Sequence, residues 1–455
     1  MAANLSVRVN VDGVSPHELS AAHAALAIRD GRLSSEELVL SCLAQIEARD
    51  PDIEAWAFLD RDLALEAARA ADLARRAGKP LGALHGVPVA VKDIFDTADM
   101  PTEDGTPLHA GRTPAFDATA VAALRSAGAI VLGKTVTAEL AVCTPGKTRN
   151  PHDPARTPGG SSSGSAAAVA AQMVPLALGT QTNGSVIRPA SYCGVVGYKP
   201  TFGRISRYRV LRAAPSLDHV GVFARNIEDA ALLAEQLMGH DSRDSATRPL
   251  ARPDLVGVAT QAPPVPPRLA FVKTPAWPEA APDAQAAFLE LVDYLGDAVV
   301  EVDLDDLLGD AVTRLHTIME AELGHNYRRE LERGGASLSP ALRAILERGR
   351  AIPAGDYLAA LEGVPDLVAA LDELLLEYDA ILTPAATGEA PLGLASTGNP
   401  VFCTPWSLCG MPAVSVPVLQ GEAGMPLGAQ LVASRDDDAR LLRTANWLAA
   451  RVAAA

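Results

Sequence analysis

The chain has 455 residues, of which 48% are apolar and 21% are charged. This length excludes a peptide hormone or a short binding module, and the composition is that of a folded rather than a disordered protein. Lysine and arginine number 39 against 55 aspartates and glutamates, so the formal net charge is −16. A negative charge repels phosphate backbones and anionic membrane surfaces, which argues against nucleic acid and membranes as partners.

The cysteines and the N-terminus indicate the cellular compartment. Five cysteines are scattered along the chain without a CxxC pair, which argues against a disulfide framework and against a structural zinc site. The N-terminus lacks a basic start followed by an apolar run, and no stretch of about 18 uncharged apolar residues occurs. We therefore predict a cytoplasmic protein without a signal peptide, a membrane span or a bound metal.

The N-terminal half alternates between helix and strand patterns. Residues 15–80 favour helices, because Ser34 and Glu37 have the spacing of a capping box and residues 61–77 are rich in Ala and Leu. Alternating valines over 87–91 predict a strand that ends at Lys92. The patterns that follow predict a helix over 118–127, a strand over 129–132 and an Ala-rich helix from 165 to about 172.

The C-terminal half continues this alternation after a single linker-like segment. Residues 261–267 (QAPPVPP) fit a domain boundary or a long surface crossover, and both interpretations remain open. Beyond it the patterns predict strands over 269–272, 378–383 and 413–418 and helices over 283–296, 308–375 and 436–454. Alternation of this kind favours an α/β sheet.

Three polar features follow apolar segments. Lys92 ends the first strand, where apolar surroundings would favour a neutral amine, unless it reaches water or pairs with a nearby aspartate. Residues 157–165 (TPGGSSSGS) open a helix, and the bare N–H groups at such a point bind anions. Residues 178–185 (LGTQTNGS) form a polar turn whose N–H groups can point at one atom, as an oxyanion hole requires.

The run at 160–164 also matches the G-x-S-x-G nucleophile elbow, with Ser162 as the nucleophile. That elbow normally follows an apolar strand, whereas residues 156–158 (RTP) precede it here. This esterase interpretation predicts that Ser162 reacts with the help of a histidine such as His219.

In combination, the strand ending at Lys92 and the segments 159–165 (GGSSSGS) and 180–185 (TQTNGS) resemble the amidase signature family. The resemblance runs from about residue 84 to 228 and returns over 378–448. Members carry a second catalytic serine 24 residues after the first serine of GGSSxGS, and Ser161 is followed at this spacing by Ser185.

The resemblance implies an α/β fold with a central mixed β-sheet flanked by α-helices on both faces. It implies one domain over 1–455, with N-terminal helices at about 15–80, a signature core at about 84–228, a surface crossover at about 241–268 and a C-terminal substrate-side region at about 269–455.

The family uses a Ser–cisSer–Lys triad, which implies Ser185 as the nucleophile, Ser161 as the bridge and Lys92 as the base. Ser161 would follow a cis peptide bond, and Lys92 would need a pKa lowered by roughly 3 units to act near neutral pH. No metal or organic cofactor is implied. The resemblance also assigns an oxyanion hole and supporting residues, namely the backbone N–H groups of Thr182, Asn183, Gly184 and Ser185, and the residues Ser162 and Gly160.

The chain departs from the family pattern beside the nucleophile. The usual D-T-G-G-S-I-R is replaced by Q-T-N-G-S-V-I-R over 181–188. Gln181 stands in place of an aspartate, and an arginine, Arg188, comes one place later than usual because Ile187 occupies its position. We expect a rebuilt contact that bears on substrate geometry and leaves the triad intact.

The resemblance implies a serine amidohydrolase that cleaves acyl C–N bonds of small, largely neutral amides or carbamates through an acyl-enzyme, with esterase side activity. The expected partner is a small-molecule substrate, and the chain would be a monomer or a homodimer. We name Gln181, Leu394, Phe402 and Trp406 as candidates for an apolar substrate pocket, although such residues also suit a core.

Two alternatives come from the same fold. The first is the A-type glutaminase subunit of a glutamyl-tRNA amidotransferase. Residues 203–208 (GRISRY) and 215–218 (PSLD) are similar to that subunit. Residues 383–391 (TPAATGEAP) and 405–412 (PWSLCGMP) look more like stand-alone amidases. The second alternative is a catalytically silent scaffold, against which the retained triad residues argue.

Overall fold

The structure, a computed structural model, describes Val11 and residues 13–454. The strands of the described chain are β1 (Trp56–Leu59), β2 (Pro88–Lys92), β3 (Ile130–Thr135), β4 (Leu176–Gln181), β5 (Val196–Lys199), β6 (His219–Ala224), β7 (Leu269–Phe271), β8 (Val299–Glu301), β9 (Ala380–Pro384), β10 (Ala413–Gln420) and β11 (Pro426–Val432). They form one sheet of 11 strands in the order β1-β3-β2-β4-β6-β5-β10-β11-β9-β7-β8. The sheet is mixed, since β2 is parallel to β3 and β4 whereas β10 and β11 are antiparallel.

The helices account for most of the remaining regular structure. They are α1 (Ala21–Arg29), α2 (Ser35–Ile53), α3 (Arg61–Arg76), α4 (Thr119–Ser126), α5 (Ser163–Ala170), α6 (Ile187–Cys193), α7 (Ile227–Leu237), α8 (Leu255–Ala259), α9 (Pro282–Leu295), α10 (Asp305–Leu308), α11 (Ala311–Asn326), α12 (Arg328–Gly334), α13 (Pro340–Ala351), α14 (Ala354–Glu362), α15 (Val364–Leu374), α16 (Thr404–Leu408) and α17 (Asp438–Ala453). Over Val11 and residues 13–454, none of them has both the length and the apolar character needed to cross a bilayer.

Both faces of the sheet are covered, as predicted. Val89 and Val91 belong to a core that includes side chains of α7 and α17. Ala90, which points the other way along β2, belongs to a second core that includes side chains of α2 and α5. Because successive strand residues face opposite sides of a sheet, a central strand buried on both faces is apolar at every position. The predicted α/β class with a mixed sheet is therefore confirmed.

The parallel strands bring two of the polar features to one edge. β2 and β4 lie side by side with Val91 opposite Leu178, so Lys92 and the turn that follows Gln181 leave the sheet at the same end. The carboxyl ends of parallel strands always meet in this way. The edge is where the candidate site forms.

The predicted elements agree with the observed ones to within a few residues in most places. The capping box is present, since Ser34 N donates to Glu37 Oε2 at 2.8 Å and Glu37 N donates to Ser34 Oγ at 3.1 Å. The linker-like segment follows α8 and leads into β7, which pairs with β9 in the same sheet. The long helical stretch predicted over 308–375 consists of several helices, α11 to α15, preceded by the end of α10.

Candidate active site

Lys92 is a buried amine at the end of β2. Its side chain is 0% exposed, and Nζ donates to Ser161 Oγ at 2.7 Å and to Thr180 Oγ1 at 2.8 Å. Burial lowers the pKa of Lys92 to about 7, against a smaller opposing effect of the Asp218 carboxylate. A substantial fraction of the side chain is therefore neutral at neutral pH and able to accept a proton.

Two consecutive glycines turn the chain toward Lys92. Gly159 and Gly160 have φ values of +83° and +63°, in the left-handed region that favours glycine. A Cβ on Gly160 would lie 2.8 Å from Pro189 Cδ and 3.2 Å from the Cα of Ser185, so a larger residue would push this turn away from Ser185. Gly160 thus supports the site by allowing close approach.

The cis peptide bond predicted before Ser161 does not occur, so that prediction is wrong. The described part of the chain contains no cis peptide bond. The two left-handed glycines reverse the chain through trans bonds, and the Ser161 side chain still reaches Lys92 Nζ.

Ser185 lies on the other side of Ser161. The backbone N–H of Ser161 donates to Ser185 Oγ at 3.1 Å. Ser161 is 1% exposed and Lys92 is fully buried, whereas Ser185 retains partial exposure. The three residues named from the sequence are therefore brought together in the order Lys92, Ser161, Ser185, with Ser185 at the accessible end.

The turn over 182–185 has free backbone donors. Within the described residues, none of its N–H groups donates to a protein acceptor. The four groups lie between the end of β4 and the start of α6, beside the Ser185 hydroxyl. Donors left open next to a candidate nucleophile are what an oxyanion hole requires.

Gln181 holds this turn from inside. Its side chain is 0% exposed, and Oε1 accepts from Val186 N at 2.8 Å and from Ile187 N at 2.9 Å. The amide oxygen thus caps the first turn of α6, as a carboxylate at this position could. The same side chain donates from Nε2 to Ser407 Oγ at 2.9 Å, which an aspartate could not do.

Asn183 is fixed by helix α16. Ser407 Oγ donates to the carbonyl oxygen of Asn183, and Thr404 Oγ1 donates to Asn183 Oδ1 at 2.8 Å. These contacts join residues more than 200 positions apart in the chain. The C-terminal region therefore sets the orientation of the turn that carries the free N–H groups.

Arg188 and Gly160 share one acceptor. Arg188 Nε donates to the carbonyl oxygen of Thr397 at 2.7 Å, and Gly160 N donates to the same oxygen at 2.9 Å. Arg188 is buried, and burial lowers its pKa. The contact expected to be rebuilt beside the nucleophile thus runs to a C-terminal backbone carbonyl.

Thr180 and Asp218 complete the arrangement, and neither was assigned a role from the sequence. Thr180 Oγ1 accepts from Lys92, and Thr182 Oγ1 donates to Asp218 Oδ1 at 2.6 Å. Burial raises the pKa of Asp218 to about 6, although Thr182 and the amides of 213–214 donate to its carboxylate. Both residues lie in segments named from the sequence, 180–185 and 215–218, but nothing in those segments indicated a contact with Lys92 or with Thr182.

The Ser162 side chain is bonded to the backbone of β4. It is fully buried, and its hydroxyl donates to Thr180 O at 3.1 Å and accepts from Thr180 N at 3.2 Å. His219 bonds through Nδ1 to the carbonyl oxygen of Leu217, and burial keeps its pKa well below the usual value. This geometry does not favour the esterase interpretation with Ser162 as nucleophile.

The packing does not support the apolar pocket that the sequence predicted. Trp406 and Phe402 are 0% exposed and belong to two different core clusters. Gln181 is equally buried and serves the turn, and Leu394 lies half-buried in the loop before Thr397. Apolar residues close to a motif in sequence suit a core as well as a pocket, and here the core accounts for the aromatic ones.

A cavity of about 340 Å³ opens beside the reaction centre instead. Thr180, Thr182 and Asp218 line it, together with apolar groups such as Ile94 and Ala141. Its size is that of a small-ligand site. In the described residues, no group of three or more His, Cys, Asp or Glu side chains is arranged to hold a metal ion.

A buried lysine bonded to the hydroxyl of Ser161, and a partly exposed Ser185 that accepts from the Ser161 backbone N–H beside open N–H groups, define a candidate serine hydrolase site on an α/β sheet. The sequence model of the Amidase family matches residues 37–442. This chain therefore belongs to the amidase signature family.

The relatives differ in what they are named for. The A component of a glutamyl-tRNA(Gln) amidotransferase from Chloroflexus aurantiacus is 35% identical, with 94% of this chain and 95% of the relative covered. The structure of native peptide amidase from Stenotrophomonas maltophilia is 28% identical with a TM-score of 0.83, covering 96% and 97% of the two chains. A structure described as a vestigial protein complex revealing the origins of an s-triazine catabolic enzyme is 30% identical with a TM-score of 0.88, covering 94% and 98%.

Proposed function

We propose that this protein hydrolyses acyl C–N bonds of small-molecule amides through an acyl-enzyme on Ser185. Family membership supports a hydrolase of carbon–nitrogen bonds in general. The observation that carries the proposal is the alignment of a buried Lys92 amine, Ser161 and the partly exposed Ser185.

The proton relay begins at Lys92. Its neutral amine takes the hydroxyl proton of Ser161, across the 2.7 Å contact, while Ser161 takes the hydroxyl proton of Ser185. Ser185 Oγ then attacks the substrate carbonyl carbon, and the developing oxyanion accepts from the N–H groups of residues 182–185.

The second half of the cycle returns the proton. The tetrahedral intermediate collapses as Ser161 protonates the leaving nitrogen, which departs as an amine or as ammonia. Water then attacks the acyl-enzyme and gives up a proton through the same relay. As this second intermediate collapses, the bond to Ser185 Oγ breaks, Ser185 Oγ receives that proton, and the carboxylic acid is released. The proton from Ser185 has gone to the leaving nitrogen and the proton from water to Ser185, so Lys92 and Ser161 end as they began.

The substrates that fit this chemistry are aliphatic amides, anilides and carbamates, with esters as side substrates. Of the residues named for an apolar pocket, Trp406 and Phe402 are buried in the core, which weakens the support for a preference for neutral substrates. We retain a cytoplasmic location and a monomeric or homodimeric state as part of the proposal.

A second candidate is the glutaminase component of a tRNA amidotransferase. The name of the Chloroflexus relative favours it, since the match covers almost the whole of both chains. The same relay would release ammonia from glutamine, but a partner protein would have to receive it.

The test is amine or ammonia release from a panel of a primary amide, an anilide, a carbamate, an ester and glutamine. We expect wild type to cleave at least one acyl C–N bond and Ser185→Ala to lose about 10⁴-fold or more in kcat/KM. Ser163→Ala is the matched control, because the Ser163 hydroxyl is buried two residues after Ser161 without a hydrogen-bond partner in the described structure. Activity retained by Ser185→Ala would remove Ser185 as nucleophile, and turnover of glutamine alone would favour the second candidate.

A further inference from the structure

Arginine is the most frequent charged residue in the lining of the cavity beside the site. Four guanidinium groups line it, those of Arg207, Arg209, Arg212 and Arg243, against two carboxylates, those of Asp218 and Asp244. The whole chain has a formal charge of −16. An arginine whose charge is not already paired with a carboxylate of the fold is the group that can bind an anionic ligand here.

Most of these arginines are held by acidic partners. Arg207 pairs with Asp244 at 2.9 Å. Arg243 pairs with Asp241 at 2.8 Å. Arg209 lies 3.8 Å from an oxygen of Asp96. These guanidinium groups are largely satisfied within the fold and shape the wall of the cavity.

Arg212 differs from the others. It is exposed, it lines the cavity, and it makes no hydrogen bond or ion pair with any described residue. It also lines a second cavity of about 690 Å³, so it stands where the two meet. A guanidinium with its donors free is suited to bidentate recognition of a carboxylate.

The backbone on both sides of Arg212 is anchored to the site. Leu211 N donates to Ile94 O at 2.9 Å, two residues after Lys92. Ala213 N and Ala214 N donate to the Asp218 carboxylate, which in turn accepts from Thr182 Oγ1. The backbone that carries Arg212 is thus anchored on both sides to the residues around the turn over 182–185, which keeps the exposed side chain within the same part of the cavity.

We infer that the preferred substrates are amides that carry a carboxylate at the end of the acyl chain, and that Arg212 binds this carboxylate. The inference rests on the proposed function. The amide carbonyl would lie at Ser185 and residues 182–185, and the acyl chain would pass Thr182 along the apolar wall formed by Ile94 and Ala141 toward Arg212. Asp218 and Asp244 already accept from protein donors, so the free donors of Arg212 are the ones left for an anion.

The experiment compares monoamides of straight-chain dicarboxylic acids of increasing length with their uncharged analogues, for example glutaramic acid with pentanamide. We expect one acidic member to have a higher kcat/KM than its uncharged partner. Arg212→Gln should raise KM for that member about 10- to 100-fold, as loss of a charged hydrogen bond predicts, and leave the uncharged amide within about twofold. Arg212→Lys should recover part of the loss.

Arg76→Gln is the control, because Arg76 is exposed at the end of α3 and its removal changes the net charge equally. Equal losses on acidic and uncharged amides in Arg212→Gln, or a wild-type preference for the uncharged amide, would overturn the inference. If wild type hydrolyses no amide, the proposed function fails first. Calorimetric binding of glutarate to Ser185→Ala, with and without Arg212→Gln, then still decides the role of Arg212, since binding that ignores this substitution would reject it.

Discussion

Single residues in this protein acquire their chemistry from burial. Lys92 has two hydroxyl partners and, among the described residues, no carboxylate in contact, so the charged form gains little to offset the loss of water. Lys134 is buried nearby but pairs with Asp93 at 3.0 Å. The difference in partners separates a lysine suited to proton transfer from one that serves the structure.

The pH dependence follows from this burial. The pKa of Lys92 is lowered to about 7, so the neutral base form dominates above that pH and the ammonium below it. We expect kcat/KM for an uncharged amide to rise about tenfold per pH unit below about pH 7 and to level off above it. Fixed-time assays over this range measure the profile.

Two lysine variants test whether the rise of kcat/KM below about pH 7 reflects the ionisation of Lys92. Lys92→Arg keeps a charge at all accessible pH values, so its residual activity should lack the rising limb. Lys79→Arg changes an exposed lysine and should leave the profile unaltered. A wild-type profile that is flat through about pH 7 would show that Lys92 is not the base.

The proximity of Lys92, Ser161 and Ser185 could be predicted from the sequence, whereas their nearest partners could not. Lys92, Ser161 and Ser185 lie in motifs whose order and spacing are visible along the chain. Thr180 and Asp218 contact the site through strand pairing and a loop, which no local pattern describes. A cis bond was predicted before Ser161, but the bond is trans, because the left-handed glycines before it already turn the chain.

At the scale of elements, the turn over 182–185 depends on the buried side-chain amide of Gln181. Gln181 ends β4 and caps α6 through Val186 and Ile187, so it joins the strand to the helix across the turn. The backbone N–H groups of the turn stay open. Its shape is therefore set by Gln181 and by the contacts of Asn183 with α16.

We expect Gln181→Leu to lower both stability and activity. The substitution leaves two buried N–H groups without an acceptor, which costs about 2–4 kcal/mol in the free energy of unfolding. It should also reduce kcat more than it raises KM, because the open N–H groups act mainly on the transition state. Denaturant unfolding and steady-state kinetics measure the two effects.

The control for this variant is Gln420→Leu, at the exposed end of β10. It should change the unfolding free energy by less than about 0.5 kcal/mol. If Gln181→Leu matches it in both measurements, the capping role assigned to Gln181 is wrong.

The elements themselves were predicted where their periodicity was simple. β2, α3 and α17 fall within a few residues of their predicted bounds. β1 and β8 were not predicted, because strands of 4 and 3 residues are too short to show a periodic pattern. β11 was not predicted, because Gly428 interrupts its apolar pattern. A glycine is needed there, since a Cβ would collide with the side chains of Ser415 and Ser191.

At the scale of the whole molecule, distant parts of the chain are tied together by buried polar groups. Asp438, at the start of α17, accepts from Tyr198 OH at 2.5 Å, from Thr201 N at 2.9 Å and from Thr201 Oγ1 at 2.6 Å. The residues joined are 237 to 240 positions apart. These bonds connect the C-terminal helix α17 to β5, the strand that follows α6, and to the residues just after it.

Asp438→Ala should destabilise the fold without changing the chemistry. Its donors lose a buried acceptor, and we expect a loss of about 3 kcal/mol or more in the free energy of unfolding. Activity well below the unfolding transition should persist, because Asp438 bonds to Tyr198 and Thr201 rather than to the triad residues. Asp293→Ala, on the exposed face of α9, is the control and should have little effect. A midpoint equal to that of the control would contradict the fastening role.

Global charge could be read from the sequence, but its distribution could not. The net charge correctly describes the chain as acidic. The arginines that line the cavity come from two separate stretches, around 207–212 and at 243, and only the fold brings them together. The grouping of these arginines at one cavity therefore could not be predicted from the sequence.

The bonds from Thr397, Thr404 and Ser407 to the two serine motifs have a consequence for how this enzyme can be divided. A fragment ending before β7 would contain Lys92, Ser161 and Ser185, yet it would lack the carbonyl that holds Gly160 and Arg188 and the hydroxyls that hold Asn183. The signature segment is thus not a portable catalytic unit. Its transfer into another scaffold would carry the reactive side chains and leave behind the groups that orient them.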